Sequence, residues 1–173
     1  MTKIKVAFGG IMGAGKSSAA QYLAEKFGGK VISFADPIYS IMYHAQSVAG
    51  FAPEKDRGFL QTVGDWGRAR DPDVWVKVIL ARSAELHSSV FIGDIRYENE
   101  FRALKREGWT CVKLVAEPLP GREGTGSATH SSETGLDGLS DSEWDYVLRN
   151  DRTDGFYREL DNKFPLRFGK ILC

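Results

Sequence analysis

The chain has 173 residues, of which 42% are hydrophobic and 27% are charged, so its length and composition are those of one ordinary globular domain. Lys and Arg together number 23, as do Asp and Glu, and this balance argues against a dedicated nucleic-acid or membrane-surface binder. Only two cysteines occur, and no apolar run approaches the roughly 20 residues of a membrane-spanning helix, which predicts a cytoplasmic protein without a disulfide framework.

Short apolar segments alternate with amphipathic segments along the chain, in the order expected of strands and helices. The predicted strands cover residues 3–8, 30–34, 90–92, 111–115 and 146–148. The predicted helices cover residues 17–27, 37–45, 57–70, 74–84, 97–106 and 156–164. Asp36 and Asp73 stand where N-caps are expected, and Pro37 suits the first position of a helix. The alternation predicts a single α/β domain over residues 1–173, with a parallel sheet covered by helices on both faces.

The first predicted strand runs directly into Gly10-Ile11-Met12-Gly13-Ala14-Gly15-Lys16-Ser17, a full match to the phosphate-binding pattern GxxxxGK[ST]. Its glycines let backbone N–H groups turn toward a phosphate chain, and the helix that follows aims its positive end at the same anion. Lys16 would reach the phosphoryl oxygens, and the Ser17 hydroxyl would bind Mg²⁺. The predicted ATP-binding residues of this loop are Gly10, Gly13, Ala14, Gly15, Lys16, Ser17 and Ser18.

The apolar run at residues 90–92 ends in Gly93 and Asp94. In P-loop proteins a carboxylate in this place holds Mg²⁺, and a helix N-cap is the alternative interpretation. Arg96 lies just beyond, where a guanidinium could bind phosphate oxygens in a bidentate way. We therefore predict Ser17 and Asp94 as metal ligands, and Lys16, Asp94 and Arg96 as catalytic residues.

Residues between the second and third strands predict a pocket for a phosphate acceptor. Asp36 would face the crevice beyond the carboxyl ends of the strands, either to position the acceptor or to act as a base. Arg68 and Arg70 could clamp a monophosphate while an aromatic ring stacks on a base. The predicted acceptor-binding residues are Phe34, Asp36, Tyr39, Trp66, Arg68, Arg70 and Trp75, and for each tryptophan alone a place in the core is the alternative.

Residues 118–141 break the alternation, with two Pro, five Gly and few apolar residues. A stretch this long without periodicity is typical of a mobile lid or a disordered loop. Arg122 is the only Arg or Lys between residues 118 and 144. We predict it as the catalytic arginine of a lid that closes over the transition state.

Several short motifs follow one another in a characteristic order. They are Phe8-Gly9-Gly10 with the phosphate loop, Phe34-Ala35-Asp36-Pro37, Leu60-Gln61-x-x-Gly64-x-x-x-Arg68, Asp94-x-Arg96-x-x-Asn99-Glu100, His130-x-Ser132-Glu133 and the Asn150 turn. In this order they resemble the phage deoxynucleoside monophosphate kinases, which belong to the wider nucleoside monophosphate kinase and dephospho-CoA kinase group. The resemblance spans most of the chain, and only the phosphate loop is highly specific by itself.

The resemblance implies a P-loop NTPase three-layer sandwich with a five-stranded parallel sheet, a helical acceptor-binding region at residues 35–88 and a lid at residues 118–141. It implies transfer of the ATP γ-phosphate to a (deoxy)nucleoside monophosphate, with Mg²⁺ as cofactor. Asn150 would lie near the ATP adenine, and Asp36 would engage the acceptor together with Arg68. Related kinases can be dimers, so a homodimer stays open.

Two other functions are compatible with the same residues. Phosphorylation of a sugar hydroxyl, as in dephospho-CoA kinase, would make Asp36 a base, whereas a monophosphate acceptor is mostly ionised near neutral pH and needs no strong base. A P-loop ATPase or switch module without a small acceptor is the other alternative. The cluster of aromatic and cationic residues from Trp66 to Trp75 argues against it, because it looks like an acceptor pocket.

Overall fold

The computed structural model describes residues 3–117 and 135–165. The strands are β1 (Lys5–Gly9), β2 (Lys30–Ile32), β3 (Val90–Ile95), β4 (Thr110–Val115) and β5 (Tyr146–Arg149). The helices are α1 (Lys16–Phe27), α2 (Asp36–Ala49), α3 (Arg57–Arg70), α4 (Val74–Glu85), α5 (Glu98–Arg106) and α6 (Asp154–Lys163), and Asp141–Glu143 forms a short 3₁₀ helix. The strands form one parallel sheet in the order β2-β3-β1-β4-β5.

The sheet is the middle layer of three, and each of its faces carries an apolar cluster. On one face, Phe8 of β1 packs with Phe156 of α6 and with the buried side of α1. On the other face, Ala7 of β1 packs with Ile79 of α4 and Leu104 of α5. Neighbouring residues of β1 serve opposite clusters because successive side chains of a strand point to opposite faces. The α/β three-layer architecture with five parallel strands is therefore confirmed.

Strand order determines where a ligand site can form. β1 is central, and the chain reaches β2 and β3 on one side of it and β4 and β5 on the other. In such sheets the crevice lies beyond the carboxyl ends of the strands, at the point where the order reverses. The loop that follows β1 occupies this point. α2 contacts α3, and α3 contacts α4, so these helices form a connected group over residues 36–85.

Two details of the predicted helix starts need correction. Asp36 is not the N-cap of α2, since Ala35 holds that position and the Asp36 carboxylate accepts a hydrogen bond from the backbone N–H of Ser33 at 3.1 Å. Asp73 precedes α4 as predicted but makes no capping hydrogen bond, and its Oδ1 accepts one from Asn99 Nδ2 at 2.9 Å. Both carboxylates tie neighbouring segments together instead.

The predicted lid is described only at its C-terminal end. Residues 118–134, which include Arg122, lie outside the described residues. In residues 135–141, Leu139 is buried in the same cluster as Trp144 and Phe101, so this end of the segment packs on the domain. Within residues 3–117 and 135–165, no helix combines the length and the apolar character that crossing a bilayer requires.

Candidate active site

The loop between β1 and α1 owes its shape to glycines with left-handed backbone. Gly10, Gly13 and Gly15 have φ values of 132°, 80° and 88°. A Cβ at Gly10 would lie 2.2 Å from the carbonyl oxygen of Leu114 on the neighbouring strand, so the close approach itself excludes any side chain there. The pattern of glycines in the sequence is thus a requirement of this backbone path.

A first cavity, the loop cavity, has a volume of about 380 Å³ and lies over this loop and the start of α1. It is lined by Gly10, Met12, Gly13, Gly15, Lys16, Ser17, Ser18, Gly93, Asp94 and Arg96. Lys16 Nζ donates hydrogen bonds to the carbonyl oxygens of Gly10 and Ile11, each at 2.7 Å. If a phosphate bound here, the Lys16 ammonium group could donate to its charged oxygens instead of these neutral carbonyls. Hydrogen bonds to charged oxygens are stronger than hydrogen bonds to neutral carbonyls.

Asp94 anchors the turn between β2 and α2. Its carboxylate accepts hydrogen bonds from Ser33 Oγ at 2.5 Å, from Phe34 N at 3.1 Å and from Ala35 N at 3.3 Å. This turn ends β2 at Ile32, earlier than the sequence predicts. Burial raises the pKa of Asp94 even though the three donors oppose that shift.

A second cavity, the helix cavity, has a volume of about 230 Å³ and lies between the phosphate loop, α2, α3 and the end of β3. Its lining combines aromatic and aliphatic side chains with several cations. The lining residues are Met12, Phe34, Ala35, Ile38, Tyr39, Lys55, Arg57, Leu60, Gln61, Gly64, Arg68, Trp75, Asp94, Arg96, Tyr97 and Glu100. The sequence predicted Phe34, Tyr39, Arg68 and Trp75 among them, and the fold brings these together.

Two side chains of the helix cavity are held by glycines of α3. The indole Nε1 of Trp75 donates to the carbonyl oxygen of Gly64 at 3.0 Å, and a Cβ at Gly67 would lie 2.4 Å from the same ring. A Cβ at Gly64 would lie 2.8 Å from Arg68 Nη2. Small residues on α3 therefore let an aromatic ring and a guanidinium share one wall of the cavity.

Arg68 is held at this wall by two further contacts. Its guanidinium stacks over the Tyr97 ring with 4.6 Å to the ring centroid, and its Nη2 forms an ion pair with Asp65 at 2.8 Å. The arginine side chain keeps 23% of its surface exposed. It is therefore oriented in advance and still accessible to an anion in the cavity.

Glu100 is a buried carboxyl group on the wall of the helix cavity, with 5% of its surface exposed. Its Oε2 accepts hydrogen bonds from the backbone N–H groups of Arg96 and Tyr97 at 2.8 and 3.1 Å, as in a capping box at the start of α5. Burial raises the pKa of Glu100 to about 8, against the effect of these donors.

The two cavities meet at Met12, Asp94 and Arg96, which line both. From the sequence, Asp94 was predicted as a metal ligand at the end of a strand and Arg96 as a phosphate-binding residue just beyond it. That they stand between two cavities follows only from the fold. A group bound over the phosphate loop and a group bound in the helix cavity would meet at these side chains.

Three predicted acceptor-binding residues line neither cavity. Asp36 forms an ion pair with Arg82 at 3.0 Å, besides its bond to the N–H of Ser33. Trp66 is 52% exposed, and the Arg70 guanidinium lies over its ring at 4.3 Å from the centroid. Helical spacing explains the separation of Arg68 from Arg70, because residues two apart on a helix point in different directions.

Asn150 was predicted beside the ATP adenine, and the structure places its side chain against the backbone of the phosphate loop. Its Nδ2 donates to the carbonyl oxygen of Ala14 at 2.9 Å. Neither residue lines the loop cavity. Ala14, also predicted to bind ATP, contributes through its backbone position, since its side chain is fully buried.

Sequence reasoning missed part of the helix cavity. Lys55 and Arg57 stand in and just after a polar loop, and Gln61 lies on the first turns of α3. These three polar residues do not form a periodic pattern in the sequence. Only the packing of α3 against α2 shows that they face the cavity. The signal available in the sequence was the Leu60-Gln61-x-x-Gly64-x-x-x-Arg68 motif, whose members other than Arg68 were not predicted as site residues.

The residues of the loop cavity fit a magnesium ion. Mg²⁺ takes one or two protein oxygens and completes its shell with water and phosphate oxygens. The Ser17 hydroxyl and the Asp94 carboxylate line the same cavity, and no group of three or more His, Cys, Asp or Glu in the described parts of the chain forms a metal cage. Ser17 and Asp94 would be the residues that hold such an ion, and it would neutralise phosphate charge.

No known family model matches the chain. Two curated relatives come from Ictalurid herpesvirus 1 (strain Auburn), and both are described as uncharacterized proteins. ORF77 is 37% identical over 144 residues, which cover 79% of this chain and 60% of the relative. ORF76 is 30% identical over 138 residues, which cover 76% of this chain and 56% of the relative. The chain thus spans somewhat more than half the length of these two proteins.

Two similar solved structures have low sequence identity to this chain. A sugar kinase from Janibacter sp. HTCC2649, solved without ligand, has a TM-score of 0.50 and 21% identity, with 93% of this chain and 94% of that chain covered. A gluconokinase from Sinorhizobium meliloti 1021 has a TM-score of 0.47 and 18% identity, with 93% and 95% covered. The first of these similarities extends over nearly the whole chain and agrees with the α/β fold described above.

Proposed function

We propose that the protein is an ATP-dependent kinase that transfers the γ-phosphoryl group to a (deoxy)nucleoside monophosphate. The observation that carries this proposal is the pair of adjoining cavities that share Met12, Asp94 and Arg96. One cavity has the phosphate-binding loop as its floor. The other has aromatic walls and cations. A phosphoryl group passing between two bound nucleotides needs this arrangement.

The loop cavity supplies the donor side. Phosphates of ATP would lie against the backbone of Gly13 and Gly15 and at the N-terminus of α1, where unpaired N–H groups and the helix dipole favour an anion. Lys16 would exchange the two loop carbonyls it now contacts for phosphoryl oxygens. Magnesium held near Ser17 and Asp94 would supply neutralisation of phosphate charge when bound.

The lining of the helix cavity suits a ligand that combines a planar base with a negatively charged phosphate. Phe34, Tyr39 and Trp75 are aromatic residues of the lining that could contact a base, and Arg68 has an oriented guanidinium that could bind a monophosphate. Cations outnumber carboxyl groups in the lining, and burial suppresses ionisation of Glu100. The structural neighbour at a TM-score of 0.50 is a sugar kinase. A phosphate would add charge-assisted hydrogen bonds with these cations that a neutral sugar cannot make, so the lining favours a nucleotide acceptor.

Phosphoryl transfer requires alignment and charge neutralisation more than covalent chemistry by the protein. Arg96, at the junction of the cavities, would stabilise the charge that spreads over the transferring group. An acceptor phosphate is already largely ionised near neutral pH, so no general base is needed. Asp36, the candidate base for a hydroxyl acceptor, is paired with Arg82 and lines neither cavity. This placement favours a phosphate acceptor over a hydroxyl acceptor.

The decisive experiment measures ADP formation from ATP and Mg²⁺ with each common ribo- and deoxynucleoside monophosphate, with dephospho-CoA and with gluconate. We expect strong stimulation by one or a few monophosphates and formation of the matching diphosphate. Stimulation by dephospho-CoA or gluconate alone would overturn the nucleotide assignment. ATP hydrolysis that no acceptor stimulates would favour an ATPase or switch module instead.

A further inference from the structure

Asn150 follows β5, and its side-chain amide connects this end of the strand to the phosphate loop. Its backbone N–H donates to the carbonyl oxygen of Val115 at 2.8 Å. Its Nδ2 donates to Ala14 O at 2.9 Å, and its Oδ1 accepts from the N–H of Arg152 at 2.8 Å. The residue is 9% exposed and lines neither cavity. The amide is therefore committed to the protein and not directed at a ligand.

Gly15 and Asn150 are packed directly against each other. A Cβ built on Gly15 would lie 2.2 Å from Asn150 Nδ2, and Gly15 has a φ of 88°. Two independent reasons thus require glycine at this position: the left-handed backbone and the space taken by the amide. On the other side of the amide, Arg152 has a φ of 63°, the single positive value for a non-glycine residue among the described residues. The side-chain Oδ1 of Asn150 accepts the hydrogen bond from the N–H of Arg152.

A peptide unit is planar, and in the trans form its C=O and N–H point to opposite sides. No described peptide bond is cis. Asn150 draws the Ala14 carbonyl toward β5, so the N–H of Gly15 in the same peptide unit is turned the opposite way. Gly15 lines the loop cavity, while Ala14 and Asn150 do not.

We propose that Asn150 is a positioning residue, which fixes the Ala14–Gly15 peptide so that the Gly15 N–H faces the polyphosphate of the bound nucleotide. This inference rests on the proposed use of the loop for ATP. It assigns Asn150 a role that depends on phosphates and is independent of the adenine base. Loss of the amide lets the peptide rotate, and one backbone donor is then no longer aimed at the phosphate chain.

Titration calorimetry without any acceptor tests this role, with Mg·ATP and Mg·tripolyphosphate as separate ligands. For Asn150→Ala we expect both dissociation constants to rise by a similar factor, about ten- to a hundredfold, as for the loss of a hydrogen bond to a charged group. Asn162→Ala, an exposed asparagine on α6, is the matched control and should bind both ligands as the wild type does. In a separate titration with a nucleoside monophosphate, its dissociation constant should change less than twofold in either variant.

Asn150→Asp provides a second variant should Asn150→Ala fail to fold. Its carboxylate keeps the acceptor for the Arg152 N–H but cannot donate to Ala14 O, so we again expect weaker binding of both ligands. Weaker binding of ATP with unchanged binding of tripolyphosphate would mean contact with adenosine and would overturn the proposal, as would wild-type affinity for both. Wild-type protein that binds ATP but phosphorylates no acceptor would refute the proposed kinase and leave this binding test valid.

Discussion

The two cavities differ in what builds them. The loop cavity is made almost entirely of residues 10–18, whose backbone conformation supplies the binding groups, together with the end of β3. The helix cavity is lined by side chains from several elements, namely the phosphate loop, α2, α3, α4, β3 and α5. The loop cavity therefore depends on glycines with left-handed backbone and on the position of β3 beside β1. The helix cavity depends on the packing between helices. Substitutions should act through the backbone in one and through individual side chains in the other.

Asp94 joins these two regions. Its carboxylate faces the loop cavity and also receives three hydrogen bonds from the turn that carries Phe34 and Ala35 into the helix cavity. One side chain thus connects the proposed donor site with the proposed acceptor site. Variants that separate the two regions, or that loosen this connection, test the comparison directly.

The largest effect is expected on the donor side. Lys16→Met should lower turnover by roughly a thousandfold, because the ammonium group that would stabilise the transferring phosphoryl group is lost. The measurement is kcat with saturating ATP and acceptor. Lys30→Met removes an exposed lysine at the start of β2 and should retain wild-type turnover. Equal losses in both variants would show that the effect is not specific to the loop.

On the acceptor side, Arg68→Ala should raise the acceptor KM by about ten- to a hundredfold, since a charge-assisted contact to the acceptor phosphate is lost. The KM for ATP should change little. Arg70→Ala is the matched comparison on the same helix, and because its guanidinium stacks on exposed Trp66 we expect a change below about threefold. An equal rise in acceptor KM for both variants would contradict the assignment of the helix cavity as acceptor site.

Stability should depend on pH through Glu100. Its pKa is about 8 in the folded protein against a reference value of 4.5, so between these values the folded state holds a proton that the unfolded state has lost. The free energy of unfolding should therefore fall as pH rises, by about 2 kcal/mol between pH 6 and pH 8. Chemical denaturation at both pH values measures this.

Glu100→Gln should abolish most of that slope, and Glu107→Gln, at an exposed position just after α5, should leave it unchanged. A slope that persists in Glu100→Gln would assign the titration to another group.

The smallest effect is expected at the connection between the regions. Ser33→Ala removes the hydroxyl that donates to Asp94 at 2.5 Å and accepts from Ala35 N, and should cost about 1 kcal/mol of stability. We also expect a several-fold rise in the acceptor KM, because the turn that carries Phe34 loses one of its bonds. Ser40→Ala on α2 is the control. A change confined to the ATP KM would show that the turn does not belong to the acceptor site.

Sequence alone determined the succession of strands and helices along the chain and the position of the phosphate-loop motif. Both are local properties: a buried strand, a fixed spacing of glycines and a helix start lie within a few residues of one another and leave a readable pattern. Asp94 and Arg96 were predicted for the same reason, since they follow directly on an apolar strand.

Tertiary structure alone decided which polar side chains face a ligand. Arg68 and Arg70 are equivalent in the sequence, and the packing of α3 turns only Arg68 into the helix cavity. In the sequence, Asp36 stands where a helix cap is expected. In the structure, its carboxylate accepts a hydrogen bond from Arg82, which is 46 residues away. Asn150 reaches the phosphate loop across 136 residues of chain. Contacts over such separations leave no periodic signal, because they depend on how strands are ordered and helices packed, not on the residues nearby.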